Sequence, residues 1–223
     1  MTRAAIGPAI FGIVGIAVLL SLGIWQLQRL QWKEGLLAEI DARIGADPGM
    51  LPEFPDQSTD NFRAVSLSGR IVGSPLRVLT SRRGLGPGFR VVSAFETDGR
   101  RVLLDRGFIA ESRKALASDD ATLDVVGNLH WPDEWDRFFT PKPEADLWFA
   151  RDVEMMAAAL GTEAVMVVSR DSDGDASFVV PWPVDSHGIP NNHLQYAATW
   201  FSLAAAWLAM TTYWVWRIGR RSA

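Results

Sequence analysis

Two uncharged runs bracket the chain. No residue from Ala4 to Gln28 carries a charge, and none does from Leu194 to Trp216. A helix needs about 20 largely apolar residues to cross the hydrocarbon core of a bilayer. Both runs reach that length. A globular helix seldom stays uncharged on every face for so long, because one face meets water. The runs therefore predict two membrane helices with a folded segment between them. The first run is long for a signal peptide, and no small-residue cleavage site follows it. It leads instead into GIWQLQRLQWK, whose aromatic, amide and basic side chains suit a membrane interface. A retained anchor is expected. No long Arg/Ser-rich stretch precedes it, which points to a bacterial protein.

The expected organisation is a first transmembrane helix over 1–30, an outer domain over 31–190, a second transmembrane helix over 191–217 and a basic tail over 218–223. Arg217, Arg220 and Arg221 follow the second run, so the positive-inside rule places the C-terminus in the cytoplasm. Two spans then return the N-terminus to the same side. The middle segment becomes extracytoplasmic, and in a bacterium periplasmic. It holds all 26 acidic residues against 16 basic ones, a net charge of roughly −10, which disfavours nucleic acid as a partner. With no cysteine, there is no disulfide and no thiol-based metal transfer.

Within the middle segment, WKEGLLAEIDARI carries Leu36, Leu37, Ile40 and Ile44 at helical spacing and continues the first helix outward. The proline-rich DPGMLPEFPDQSTD breaks it. Strands are expected over 62–72, 75–82, 88–96, 100–110, 122–131 and 164–171, with a hairpin turn at 98–100 and a turn in DSDGD after the last. VEMMAAAL is expected as a short helix capped by Asp152. Short strands at 8–12-residue spacing with small helices predict an antiparallel β-rich domain, α+β or small and barrel-like.

No HExxH, CxxC, P-loop, GxGxxG or G-x-S-x-G occurs, and enzymatic activity is not expected. His130, beside Asp133, Glu134 and Asp136, reads as part of a surface turn. RRGLGPG at 82–88 reads as a solvated loop. Asp105-Arg106-Gly107 reads as a buried ion pair at a strand end or as a partner contact.

Three segments together resemble one family. They are LGIWQLQRLQWK (22–33), LLDRGFIA (103–110) and NNHLQYAATWFSLA (191–204). The chain resembles the SURF1 (Shy1-like) family of cytochrome c oxidase assembly factors, as a bacterial member. A G-x-W-Q-x-x-R element falls on Gly23, Trp25, Gln26 and Arg29. An N-N-H-x-x-Y-A-x-x-W-F element falls on Asn191, Asn192, His193, Tyr196, Ala197, Trp200 and Phe201. The middle motif departs from the family's N-R-G-W, reading Asp105-Arg106-Gly107-Phe108 here. The resemblance implies two membrane helices around an extracytoplasmic domain and an assembly role in the inner membrane. It also implies haem a binding with His193 as iron ligand and delivery to catalytic subunit I of the oxidase. Haem a synthase and membrane lipids are the further partners it implies.

The residues themselves allow two readings. If both helix ends lie at one depth, Trp25, Gln26, Arg29, His193, Tyr196 and Trp200 share one interfacial layer. His193, Ala197 and Trp200 fall on one helical face, with Tyr196 beside them. His193 lies in the first turn, where Asn191 or Asn192 can cap the helix. Neutral imidazole is the form that ligates iron. Arg29 can face a haem propionate or a phospholipid headgroup. Such a layer suits a haem site. It equally suits plain anchoring, since Trp and Tyr gather at any membrane interface. A cofactor-free chaperone for oxidase subunits is the alternative function.

Overall fold

A computed structural model describes residues 3–113, 122–173 and 178–221. Its helices are α1 (Arg3–Ile44), α2 (Gln57–Asp60), α3 (Val153–Leu160) and α4 (His193–Arg221). Its strands are β1 (Ala64–Arg82), β2 (Gly86–Thr97), β3 (Arg100–Ala110), β4 (Thr122–Leu129), β5 (Leu147–Trp148) and β6 (Met166–Asp173). The chain divides into two compact units, Met1–Glu39 with Ser186–Ala223, and Ile40–Asp185.

In the first unit, α1 and α4 meet along a seam of small residues. A Cβ on Gly23 would lie 2.6 Å from Cε1 of Phe201. One on Gly12 would strike Thr211, and one on Gly15 the indole of Trp207. Ala197 and Ala204 are the buried residues of α4, and Phe11 packs on Trp207 with ring centroids 5.4 Å apart. Small residues let backbones approach closely, which is how helices associate where lipid removes the hydrophobic drive. At 1.5 Å per residue α1 is about 63 Å long, roughly twice a hydrocarbon core. It is long and apolar enough to cross a membrane, and it is the one such helix among the described residues. α4 is uncharged from Leu194 to Trp216, but its Thr, Ser, Gln and Trp residues make it less apolar on average. It runs on to Arg221, so the expected basic tail is helical through that residue.

α1 continues unbroken to Ile44, because Leu, Glu and Ala favour helix through this stretch and no proline intervenes. Its last carbonyl, Ile44 O, accepts from Asn128 Nδ2 at 3.1 Å and Arg170 Nη1 at 2.9 Å, which satisfies an otherwise orphan helix-end group.

In the second unit the strand pairings close on themselves. β1 pairs with β2, β2 with β3, β3 with β6, β6 with β4, and β4 with β1 again. β1 achieves this by its 19-residue length: residues 64–70 face β4 and residues 70–82 face β2. The expected strands at 62–72 and 75–82 are therefore one strand, bent by a register shift between Val72 and Leu76. The sheet is mixed. The antiparallel expectation is corrected by β3–β6 and β1–β5, both parallel. β5, only two residues long, is too short to show the alternation that marks a strand in sequence. Asp98 and Gly99 hold φ of 48° and 75°, the left-handed pair that a two-residue hairpin needs. Asp171 to Asp173 belong to β6, and the rest of the expected DSDGD turn lies outside the described residues.

One core cluster joins Val65, Leu67, Phe95, Val102, Leu104 and Val167. A second packs Met156 and Ala157 of α3 on Leu103, Met166 and Val168. Alternate residues of β3 and β6 serve the two clusters, so these strands are buried on both faces and read as continuous apolar runs. Asp152 Oδ1 caps α3 by accepting from Met155 N–H at 2.8 Å, as its position suggests.

Candidate functional site

The helix pair brings two of the expected site residues into direct contact. His193 Nδ1 lies 2.8 Å from Gln26 Oε1. A carboxamide oxygen only accepts, so in the neutral ring this contact puts the proton on Nδ1 and the lone pair on Nε2. The contact follows from local sequence. Gln26 is one turn after Gly23 on the buried face of α1, and His193 is one turn before Ala197 on the buried face of α4. The close seam set by those small residues draws the polar pair together at its end. Gln26 is 9% exposed, which makes its hydrogen bond costly to lose.

The other candidates make no hydrogen bond to this pair among the described residues. Trp25 and Tyr196 are each 55% exposed, Trp200 is half-buried, and Arg29 is exposed. The Arg29 guanidinium stacks 3.8 Å above the Trp32 ring. Gln26 and Arg29 thus have separate partners. Ala197 and Ala204 are buried, and Phe201 and Trp207 of the same helix meet Gly23 and Gly15 of α1. The expected cap is not formed by Asn191, whose Oδ1 is buried with no hydrogen-bond partner.

A second polar cluster lies in the sheet unit. Asp105, fully buried on β3, pairs with Arg90 Nε at 2.9 Å and Arg151 Nη1 at 2.9 Å. Arg151 also pairs with half-exposed Glu134, and Arg90 donates to the Trp182 carbonyl and stacks on its ring. Burial works against the charged form of Glu134, yet the Arg151 hydrogen bonds hold its carboxyl below the usual range. Asp105 is thereby the buried ion pair of the two readings open for it. Arg90 and Arg151 were not anticipated. The one signal was a lone acid inside the apolar run RVLLDRGF.

His130 needs a correction too. It is no surface turn but a largely buried residue after β4, with Nδ1 3.1 Å from Asn61 Oδ1 and its ring 5.2 Å from that of Phe62. Burial, helped by Arg151, pushes its pKa down to about 4. The RRGLGPG segment is the turn between β1 and β2, with Arg82 donating to the Pro181 carbonyl.

Comparison with known proteins gives a consistent result. A family model described as the SURF1 family matches residues 13–205. Surfeit locus protein 1 of Homo sapiens is 30% identical over 217 residues, covering 83% of this chain and 70% of its own length. The rat protein of the same name is 28% identical over 218 residues, covering 85% and 70%. A SURF1-like protein of Rickettsia felis is 26% identical over 205 residues, covering 86% and 89%.

Proposed function

Since the chain belongs to the SURF1 family of cytochrome c oxidase assembly factors, we propose that it holds haem a at the outer membrane interface through His193 and passes it to catalytic subunit I. The observation that carries this reading is the hydrogen bond between Gln26 and His193. A ligating imidazole is aimed and kept in one tautomer by an acceptor on its other nitrogen. Gln26 is that acceptor. Haem, when bound, would be held by the His193 imidazole, and its iron would supply the site to which a neutral ring nitrogen binds. Trp25, Tyr196 and Trp200 offer aromatic surface to the macrocycle. Arg29 offers a planar cation for a propionate, with Trp32 holding it beneath. Holding by one protein side chain would suit a site that must release its cargo. The same reading places α1 and α4 in the bacterial inner membrane, both termini in the cytoplasm and the sheet unit in the periplasm. Haem a synthase is the donor on this scheme.

The test is mild-detergent purification from cells producing haem a synthase, followed by haem extraction and an optical spectrum. His193→Ala is expected to lose bound haem while remaining in the membrane. Gln26→Leu is expected to weaken retention by about 10–100-fold, the usual cost of removing such an outer partner. Full haem content with an unshifted Soret band in His193→Ala rules His193 out as ligand. A second reading has its own observation, the packing of Phe201 and Trp207 of α4 onto Gly23 and Gly15 of α1. On it the helix pair is a cofactor-free chaperone for oxidase subunits. It predicts that His193→Ala supports oxidase maturation as the parent does.

A further inference from the structure

Residues 136–143 form a turn that carries two adjacent exposed aromatic side chains. Phe138 and Phe139 project from it, 88% and 85% exposed. The backbone beneath them is closed by its own hydrogen bonds. Asp136 Oδ1 accepts from Phe138 N–H at 2.8 Å and from Phe139 N–H at 3.1 Å. Asp136 N–H donates to Thr140 Oγ1, and Thr140 N–H to the Asp136 carbonyl, both at 2.9 Å. Pro141 and Pro143 have no N–H to satisfy. Water would meet such donors at no cost. A medium without water would not, and there a loop must bond or delete them itself.

We infer that this turn docks on the bilayer surface, with Phe138 and Phe139 in the headgroup–acyl boundary and Arg137 and Lys142 at the lipid phosphates. This rests on the reading of α1 as a membrane anchor, which tethers the sheet unit to a membrane. Asp136 spends Oδ1 on the tip's N–H groups, and within the turn Arg137 and Lys142 are exposed on either side of the rings. Their sign matches phosphate, and their stems are long enough to reach it while the rings lie deeper. Two adjacent side chains on a tight turn diverge into a wedge. A fluid interface accommodates a wedge, whereas a protein partner must offer a preformed pocket for it.

The chain has no cysteine, so single-cysteine labelling is unambiguous. Phe138→Cys and, separately, Phe139→Cys carry an environment-sensitive fluorophore on the full chain, reconstituted in phosphatidylethanolamine–phosphatidylglycerol vesicles. Asp98→Cys, on the exposed tip between β2 and β3, is the reference. Labels at 138 and 139 are expected to shift to the blue, to be quenched by lipids with shallow spin labels, and to resist aqueous iodide several-fold better than the label at 98. Adding Arg137→Gln and Lys142→Gln should return them towards the aqueous signal. Iodide access at 138 and 139 equal to that at 98 overturns the inference. So does a label that dries only when purified oxidase is added, since the partner is then protein. Co-flotation of the chain with carbonate-washed vesicles reports the α1 anchor separately. Flotation with wet labels removes this inference alone, and failure to float removes the anchor reading.

Discussion

His130 and Asp105 both carry buried polarity, and they answer to pH and mutation differently. The His130 ring is neutral in the fold because burial first, and then Arg151, disfavour a further cation; Glu134 opposes them by more than Arg90 adds. Its folded pKa of about 4 lies below the 6.5 of a free imidazole, so the stabilisation is complete above 6.5 and is lost as pH falls towards 4. Carboxylates such as Glu134, held below 4.5, lose theirs only at lower pH. The interval from 6.5 to 4.5 therefore isolates His130. Denaturation midpoints should fall there by at most about 1.4 kcal/mol per pH unit. His130→Gln should flatten that slope, and an unchanged slope assigns the effect elsewhere. Asp105 is different, since it is fully buried and pairs with both Arg90 and Arg151. Asp105→Ala leaves two buried guanidinium groups undercompensated and should cost about 3–5 kcal/mol in chemical denaturation. A loss below 1 kcal/mol would mean that Glu134 alone holds them.

At the scale of elements, the α1–α4 seam depends on three glycines where any larger residue meets a side chain of the other helix. Gly23 is nearest to the polar pair, and its replacement should be felt there. Gly23→Val should push Phe201 aside and part Gln26 from His193. Disulfide yield between Gln26→Cys and His193→Cys measures this, and it should drop at least several-fold with Gly23→Val. An equal yield would show that Phe201 swings away without moving the helices. The strap 178–182 is held comparably in the sheet unit. Phe108 and Val180 exchange backbone hydrogen bonds of 2.8 Å, and Gly107, at φ 117°, leaves the strap the space a Cβ would take. Gly107→Ala combines backbone strain with a clash against the strap's backbone, and should destabilise by several kcal/mol in the same denaturation assay.

At the scale of the molecule, the proposed topology puts the tip between β2 and β3 outside the cell membrane and the end of α4 inside. Asp98→Cys should react with a membrane-impermeant thiol reagent on intact spheroplasts, while a C-terminal reporter should be active only as a cytoplasmic fusion. Both on one side would leave α1 as the sole span.

Features governed by neighbours in the chain were legible in the sequence. Absence of charge over 25 residues, apolar spacing in VEMMAAAL, the Asp98-Gly99 turn and the capping Asp152 each act within a few residues. Family membership was legible for a related reason: its motifs are short and sit at the ends of the two helices. What the tertiary structure decided involves residues far apart. Ring closure needs β1 to bend and serve two partners, which alternation of apolar residues cannot specify. Parallel β3–β6 pairing depends on where the chain returns, not on either strand's composition. Arg90, Asp105 and Arg151 come from three separate segments, and only packing makes one network of them. The same holds for the site. The sequence named Gln26 and His193, but a hydrogen bond across 167 positions, and hence the free Nε2, exists only once the glycine seam has brought two helices together.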